Sequence, residues 1–139
     1  MPRAQTVTPS VGIILRLPNG GVLAPPDLEL IDAVRKERSI IGASRALGLS
    51  YRKCWLSVDA LNRTFESPVV ATFPGRREGG AEITPFGERL VGVYRSIERH
   101  AANAAKRTLD EIIGSLNWSF QAKASDGDVE PSLDRAAGH

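Results

Sequence analysis

Arg52, Lys53 and Arg63 fall within one short stretch that also carries Tyr51, Trp55 and Leu56. Together these side chains suit recognition chemistry rather than bond-making chemistry. A guanidinium can fork onto the O6 and N7 acceptors of guanine, an ammonium can sit on a phosphate, and an apolar edge can meet the C5-methyl of thymine. The groups needed for catalysis are missing at the sequence level. His100 and His139 stand too far apart to form a catalytic pair or a metal site, and neither Gly20-Gly21 nor Gly79-Gly80 has the strand-then-helix context of a phosphate loop. The single cysteine, Cys54, leaves no internal disulfide and no thiolate zinc cluster. No enzymatic activity, cofactor or metal is expected.

The surrounding stretch, Ile40 to Phe65, reads IIGASRALGLSYRKCWLSVDALNRTF. A short apolar helix, a tight Leu47-Gly48-Leu49-Ser50 turn and a second, basic helix make a helix-turn-helix candidate. Ser50 can cap the second helix by accepting a hydrogen bond from a first-turn amide, and Ser50 to Phe65 would run roughly 24 Å, a length that fits a major groove. At 100° per residue, Cys54, Val58, Leu61 and Phe65 share one narrow sector and should be buried. The outward face of the first two turns is then Arg52, Lys53, Trp55 and Leu56. Trp55 has two readings, packing against the neighbouring helix or meeting a thymine methyl, and packing is the commoner fate of a flanking tryptophan. Cys54, on the buried sector, reads as a small core residue.

With 139 residues, 42% hydrophobic and 24% charged, the chain suits one ordinary soluble core plus tails. Neither a membrane span nor a secretory leader is legible, so the expected compartment is the cytoplasm. The net charge of +2 is unevenly spread. Arg35 to Arg63 holds seven basic residues against Glu37 and Asp59, whereas Asp126 to Arg135 holds four acids against one arginine. Clustered positive charge is the footprint of a nucleic-acid binder, although a solvated helix face gives the same pattern.

Around that stretch the chain reads as mainly α with small β. Residues 1–10 are polar and expected to be mobile. VGIILRL, Pro18-Asn19-Gly20-Gly21 and Val22-Leu23 suggest a strand, a tight turn and a return strand. Pro25-Pro26-Asp27 starts a helix in which Leu28, Ile31 and Val34 share a face up to about Arg38. Ser39 can cap the next helix, where Ile40, Ala43, Ser44 and Leu47 align before Gly48 ends it. Val69 to Phe73 and Ala81 to Ile83 then flank Pro74-Gly75-Arg76-Arg77-Glu78-Gly79-Gly80, a hairpin with a basic, glycine-rich tip that has the look of a wing.

Thr84-Pro85 opens a last helix with no breaker before Gly114, roughly 46 Å long if it runs to Ser115. Phe86, Leu90, Val93, Ile97, Ala101 and Ala104 alternate steps of three and four, and Leu109, Ile112, Ile113 and Leu116 continue with a shift in phase. So long a helix calls for a partner, and a second copy of the chain is the simplest one. The alternative is a break between Asn103 and Thr108, with the helix folding back on its own domain. The division expected is 11–84 for the helix-turn-helix and wing, 85–116 for the dimerisation helix, and 117–139 for a disordered tail.

The run GASRALGLSYRKCWLSVDALNR, followed by a strand, a Gly-rich turn and ITPFGERLVGVYRSIE, resembles the N-terminal winged-helix domain of ModE-type, molybdenum-dependent transcriptional regulators. LysR-type winged helices share the layout but usually lack that tyrosine and tryptophan. The resemblance runs from about Val11 to Glu98. It implies a homodimer binding double-stranded DNA, with Ser50, Tyr51, Arg52, Lys53, Trp55 and Leu56 toward the major groove and Arg76 and Arg77 on the wing. The helix after the wing, with Phe86, Leu90, Val93, Ile97, Ala101 and Ala104, would build the dimer interface.

Two departures stand out. The family's wing has a lysine in a run of glycines where this chain has Arg76-Arg77-Glu78-Gly79-Gly80. Full-length members bind molybdate through C-terminal oxyanion-binding domains, and nothing after Ser115 reads as one, so molybdate sensing by this chain is not expected. Besides a sequence-specific DNA-binding regulator, two other readings are open: a winged helix turned protein-interaction module, and a stand-alone sensor holding an oxyanion at helix N-termini.

Overall fold

The computed structural model describes residues 9–73 and 80–122. Its elements, in chain order, are β1 (Leu15–Arg16), β2 (Val22–Leu23), α1 (Pro25–Glu37), α2 (Ile40–Leu47), α3 (Tyr51–Thr64), β3 (Val70–Phe73), β4 (Gly80–Ile83) and α4 (Pro85–Gly114). Four helices and two separate two-stranded antiparallel sheets make a mixed α and β fold. The arginine-bearing tip at 74–79 and the tail from 123 lie outside the described residues, and so do the sequence expectations that fall on them.

Each helix begins where the sequence offers an oxygen to its orphan amides. Ser39 Oγ accepts from Gly42 N–H at 2.9 Å, Ser50 Oγ from Lys53 N–H at 3.0 Å, and Thr84 Oγ1 from Gly87 N–H at 2.9 Å. At the start of α1, Asp27 reaches back instead, its carboxylate accepting from Ala24 N–H at 2.9 Å. Burial raises the Asp27 pKa, and this backbone bond partly opposes the rise. Gly48, with φ of 70°, closes α2 in the left-handed conformation that costs glycine little. Arg38 closes α1 the same way with φ of 62°, a conformation costing an L-residue roughly 1–2 kcal/mol. Its carbonyl accepts from Ala81 N–H at 3.0 Å, so this corner is tied to β4.

The core lies between α1, α2, α3 and the β3–β4 hairpin. Leu28, Leu30, Ile31, Ala33 and Val34 of α1 meet Ile40 and Ala43 of α2, Cys54, Val58 and Leu61 of α3, and Val69, Val70 and Ala81 of the hairpin region. Leu47 and Phe65, expected in the core, are half-buried and pack against its edge. Among the described residues every buried side-chain polar atom has a hydrogen-bond partner, as a close-packed interior requires.

The N-terminal strand is shorter than VGIILRL suggested. Only Leu15 and Arg16 pair with the return strand, in register with Leu23 and Val22. Upstream, the chain turns to α4: Tyr94 Oη donates to the Ile13 carbonyl at 2.7 Å, and Pro9 and Val11 line a groove with Ala102, Lys106, Leu109 and Ile113. The backbone group at Ile13 is thus spent on a side chain and not on a ladder.

α4 is one uninterrupted helix of 30 residues, about 45 Å long, with no break between Asn103 and Thr108. Gly87 lets its first turn approach the residue preceding β3, since a Cβ there would lie 2.6 Å from the Val69 carbonyl oxygen. Tyr94 is fully buried, and Phe65 and Phe86 meet as tilted rings with centroids 5.6 Å apart. Arg35 and Glu88 join α1 to α4 by two hydrogen bonds, Nε to Oε2 at 3.0 Å and Nη2 to Oε1 at 2.7 Å.

Candidate nucleic-acid interface

The turn between α2 and α3 is fixed by backbone bonds at both ends. Gly48 N–H donates to the Arg45 carbonyl at 3.2 Å, Leu49 N–H to the Ser44 carbonyl at 2.9 Å, and Cys54 N–H to the Ser50 carbonyl at 3.0 Å. Under this frame, Cys54, Val58 and Leu61 anchor α3 to the core, with Cys54 Sγ 3.8 Å from the Ile40 carbonyl. Burial pushes the Cys54 thiol up, so it stays protonated and packs as a small apolar group.

With that sector fixed, helical periodicity turns Arg52, Lys53, Trp55 and Leu56 outward, and all four are exposed. The ion pairs among the described residues join Asp32 to Arg35 and Lys36, Arg35 to Glu88, Asp59 to Arg63, and Arg95 to Glu98. None engages Arg52 or Lys53. The Asp59–Arg63 pair, at 3.3 Å, offsets charge in the C-terminal half of α3, which leaves the positive charge concentrated in its first two turns.

Three large apolar side chains share that exposed end: Tyr51 is 51% exposed, Trp55 44% and Leu56 54%. Trp55 is therefore not buried by packing against a neighbouring helix. Ser50 is exposed too, but its oxygen accepts the Lys53 amide, which makes it first of all the helix cap. Arg76 and Arg77 lie outside the described residues.

One residue of this region was not singled out from sequence. Asn62, in the C-terminal half of α3, turns toward the hairpin. Its Oδ1 accepts from Val69 N–H at 2.8 Å and Val70 N–H at 2.9 Å, and its Nδ2 donates to the Val70 carbonyl at 2.9 Å. These bonds tie the end of α3 to the start of β3. The signal available was an amide near the end of a helix just before a strand, which is weak without the fold.

The expected interface stripe on α4 divides in two. Phe86 and Leu90 pack against the chain's own core, whereas Val93 and Ile97 are exposed, at 55% and 38%. Ala101 is half-buried and Ala104 exposed. Farther along, Leu109 and Ile113 are half-buried beside the N-terminal segment, while Ile112, Leu116, Trp118 and Phe120 face outward. No described helix is long and apolar enough to cross a membrane.

No family model matches the chain. Among curated proteins it is similar to the molybdenum transport protein ModE of Azotobacter vinelandii, 32% identical over 106 residues that cover 73% of this chain and 39% of that protein. The molybdenum-pterin-binding protein MopB of Rhodobacter capsulatus is 37% identical over 107 residues, covering 76% of this chain and 38% of that protein. The transcriptional regulator ModE of Yersinia pestis is 27% identical over 108 residues, covering 72% and 41%. The chain thus spans about two fifths of the length of the curated relatives it matches.

Proposed function

We propose that the chain is a ModE-like, DNA-binding transcriptional regulator, non-enzymatic and cytoplasmic, that acts as a homodimer. On this reading α2 and α3 form a helix-turn-helix, β3 and β4 form its wing, and α3 enters the major groove of duplex DNA. The observation that carries the reading is the exposed, unpaired cationic end of α3, Arg52 and Lys53, held on a rigid three-helix core behind a capped turn. The similarity to a protein named as a transcriptional regulator supports it. The second copy would cover the outward part of α4, including Val93 and Ile97.

The relatives' names also carry molybdenum. Molybdate binding is assigned to none of the described residues, because the similarity covers about two fifths of those proteins.

The reading is tested by titrating a random-sequence duplex at several NaCl concentrations. Log affinity should fall linearly with log salt, with a slope near −0.9 for each phosphate neutralised. The exposed Trp55 and Leu56 favour one rival, a protein-interaction module. Such a module would show no salt-dependent affinity for duplex, and that result would end the DNA reading.

A further inference from the structure

Leu56 is 54% exposed and stands among the outward cations of α3. It follows Arg52 by four residues and precedes Arg63 by seven, so the three side chains lie along one outward strip. Water is a poor environment for this leucine, and so is a phosphate backbone. Among the groups on base edges in the major groove, the C5-methyl of thymine is the apolar one. The occupant is further defined by charge, since Arg52 and Lys53 flank the leucine's N-terminal side and the ion pairs among the described residues leave both cations unengaged. That field suits a polyanion and disfavours an apolar protein groove.

Resting on the DNA-reading role proposed above, we infer that α3 reads a thymine by its methyl group, seated on Leu56, beside a guanine held by Arg52. Four residues of helix advance about 6 Å, and one base step rises about 3.4 Å, so the two bases lie one or two steps apart. Trp55, about 100° round the helix from Leu56 and 44% exposed, stands on the flank of that contact. The specificity is therefore partly apolar, and it is blind to every hydrogen-bonding feature of the A·T pair.

The test uses the full chain. A site is selected from a pool of randomised duplexes, and each thymine in it is then replaced singly by uracil, which removes the methyl and leaves the hydrogen-bonding edge unchanged. Loss of one buried methyl-sized contact corresponds to about a fourfold rise in Kd. The expected result is that rise at one position per half-site, with Leu56→Ala raising Kd on the thymine duplex and no longer distinguishing uracil from thymine there. Because Leu56 lies outside the core, an unchanged circular-dichroism melt should accompany the variant.

Sequence-specific, salt-dependent binding that tolerates uracil everywhere would overturn the inference and leave the DNA-reading role standing. So would uracil sensitivity that persists unchanged in Leu56→Ala. If no duplex is bound with salt dependence, the regulator reading and the inference fall together.

Discussion

Asn62 holds Val70 from both sides: its Oδ1 accepts from the Val70 amide at 2.9 Å while its Nδ2 donates to the Val70 carbonyl at 2.9 Å. The carboxamide takes the place of a neighbouring strand for one residue. Because a third bond reaches Val69 N–H, the orientation of β3 is tied to the C-terminal half of α3. Removing the amide in Asn62→Ala withdraws three hydrogen bonds from a part-buried site, each worth roughly 0.5–1.5 kcal/mol. A loss of about 2–4 kcal/mol in urea denaturation is expected. Asn62→Asp, which keeps the acceptors and loses the donor, should fall between. A melt indistinguishable from the parent for Asn62→Ala would show that the clamp carries no net stability.

The Arg35–Glu88 bridge joins α1 to α4 and gives stability a pH dependence of known sign. The arginine hydrogen bond holds the Glu88 carboxyl below its ordinary range; desolvation opposes it, and the arginine's charge adds a lesser lowering. A depressed carboxylate pKa contributes stability that is present above the unfolded value, about 4.3, and is lost as pH falls through the folded value. Both side chains are well exposed, at 38% and 49%, so the contribution after solvent screening is about 1 kcal/mol or less. Thermal melts of the parent and Glu88→Gln should differ at pH 7 and converge toward pH 3. A gap that stays constant across that range would mean the loss is one of packing.

Much of this architecture was legible in the sequence because its signals were local. Ser39, Ser50 and Thr84 each stand at the N-cap of a helix, and Gly48 stands at the end of α2, so the caps announce the boundaries to within a residue or two. The burial of Cys54, Val58 and Leu61 follows from periodicity in the same way. What could not be read depends on contacts distant in sequence. Ile13 gives its carbonyl to Tyr94, 81 residues away, and the first strand stops pairing at Leu15 because its return strand gives way to α1 after Leu23. The apolar repeat beginning at Phe86 looks like one stripe, yet its first members serve the chain's own core and Val93 and Ile97 do not. Periodicity identifies a face; it does not say which surface will cover it.

Arg52 and Lys53 are adjacent but point along different directions of α3, so on the proposed reading they have different tasks. Arg52, on the strip with Leu56, would contact a base edge, whereas Lys53, about 100° away, would sit on a phosphate. Arg52→Ala should cost roughly 1–3 kcal/mol on the selected site and relax preference at one position. Lys53→Ala should weaken selected and random duplex alike and reduce the salt slope by about one unit. Fluorescence anisotropy on both duplexes at several salt concentrations separates the two. If each variant weakens both duplexes equally, the assignment of Arg52 to a base is lost.

A helix of about 45 Å that leaves Val93 at 55% and Ile97 at 38% exposure presents apolar surface that its own domain does not cover. On the proposed reading a second copy covers that surface, and a two-fold reader needs its two α3 helices for half-sites one helical turn apart, roughly 34 Å. Charge at the seam should therefore separate the copies without unfolding either one, since neither residue enters the core. The double substitution Val93→Glu and Ile97→Glu should convert a dimer to a monomer in sedimentation equilibrium while leaving the helical circular-dichroism signal intact. Affinity for a two-half-site duplex should drop by at least tenfold, because the second half-site is no longer held at high effective concentration. A parent chain that sediments as a monomer at micromolar concentration would end the dimer reading, and a double variant that remains dimeric would place the contact elsewhere on the molecule.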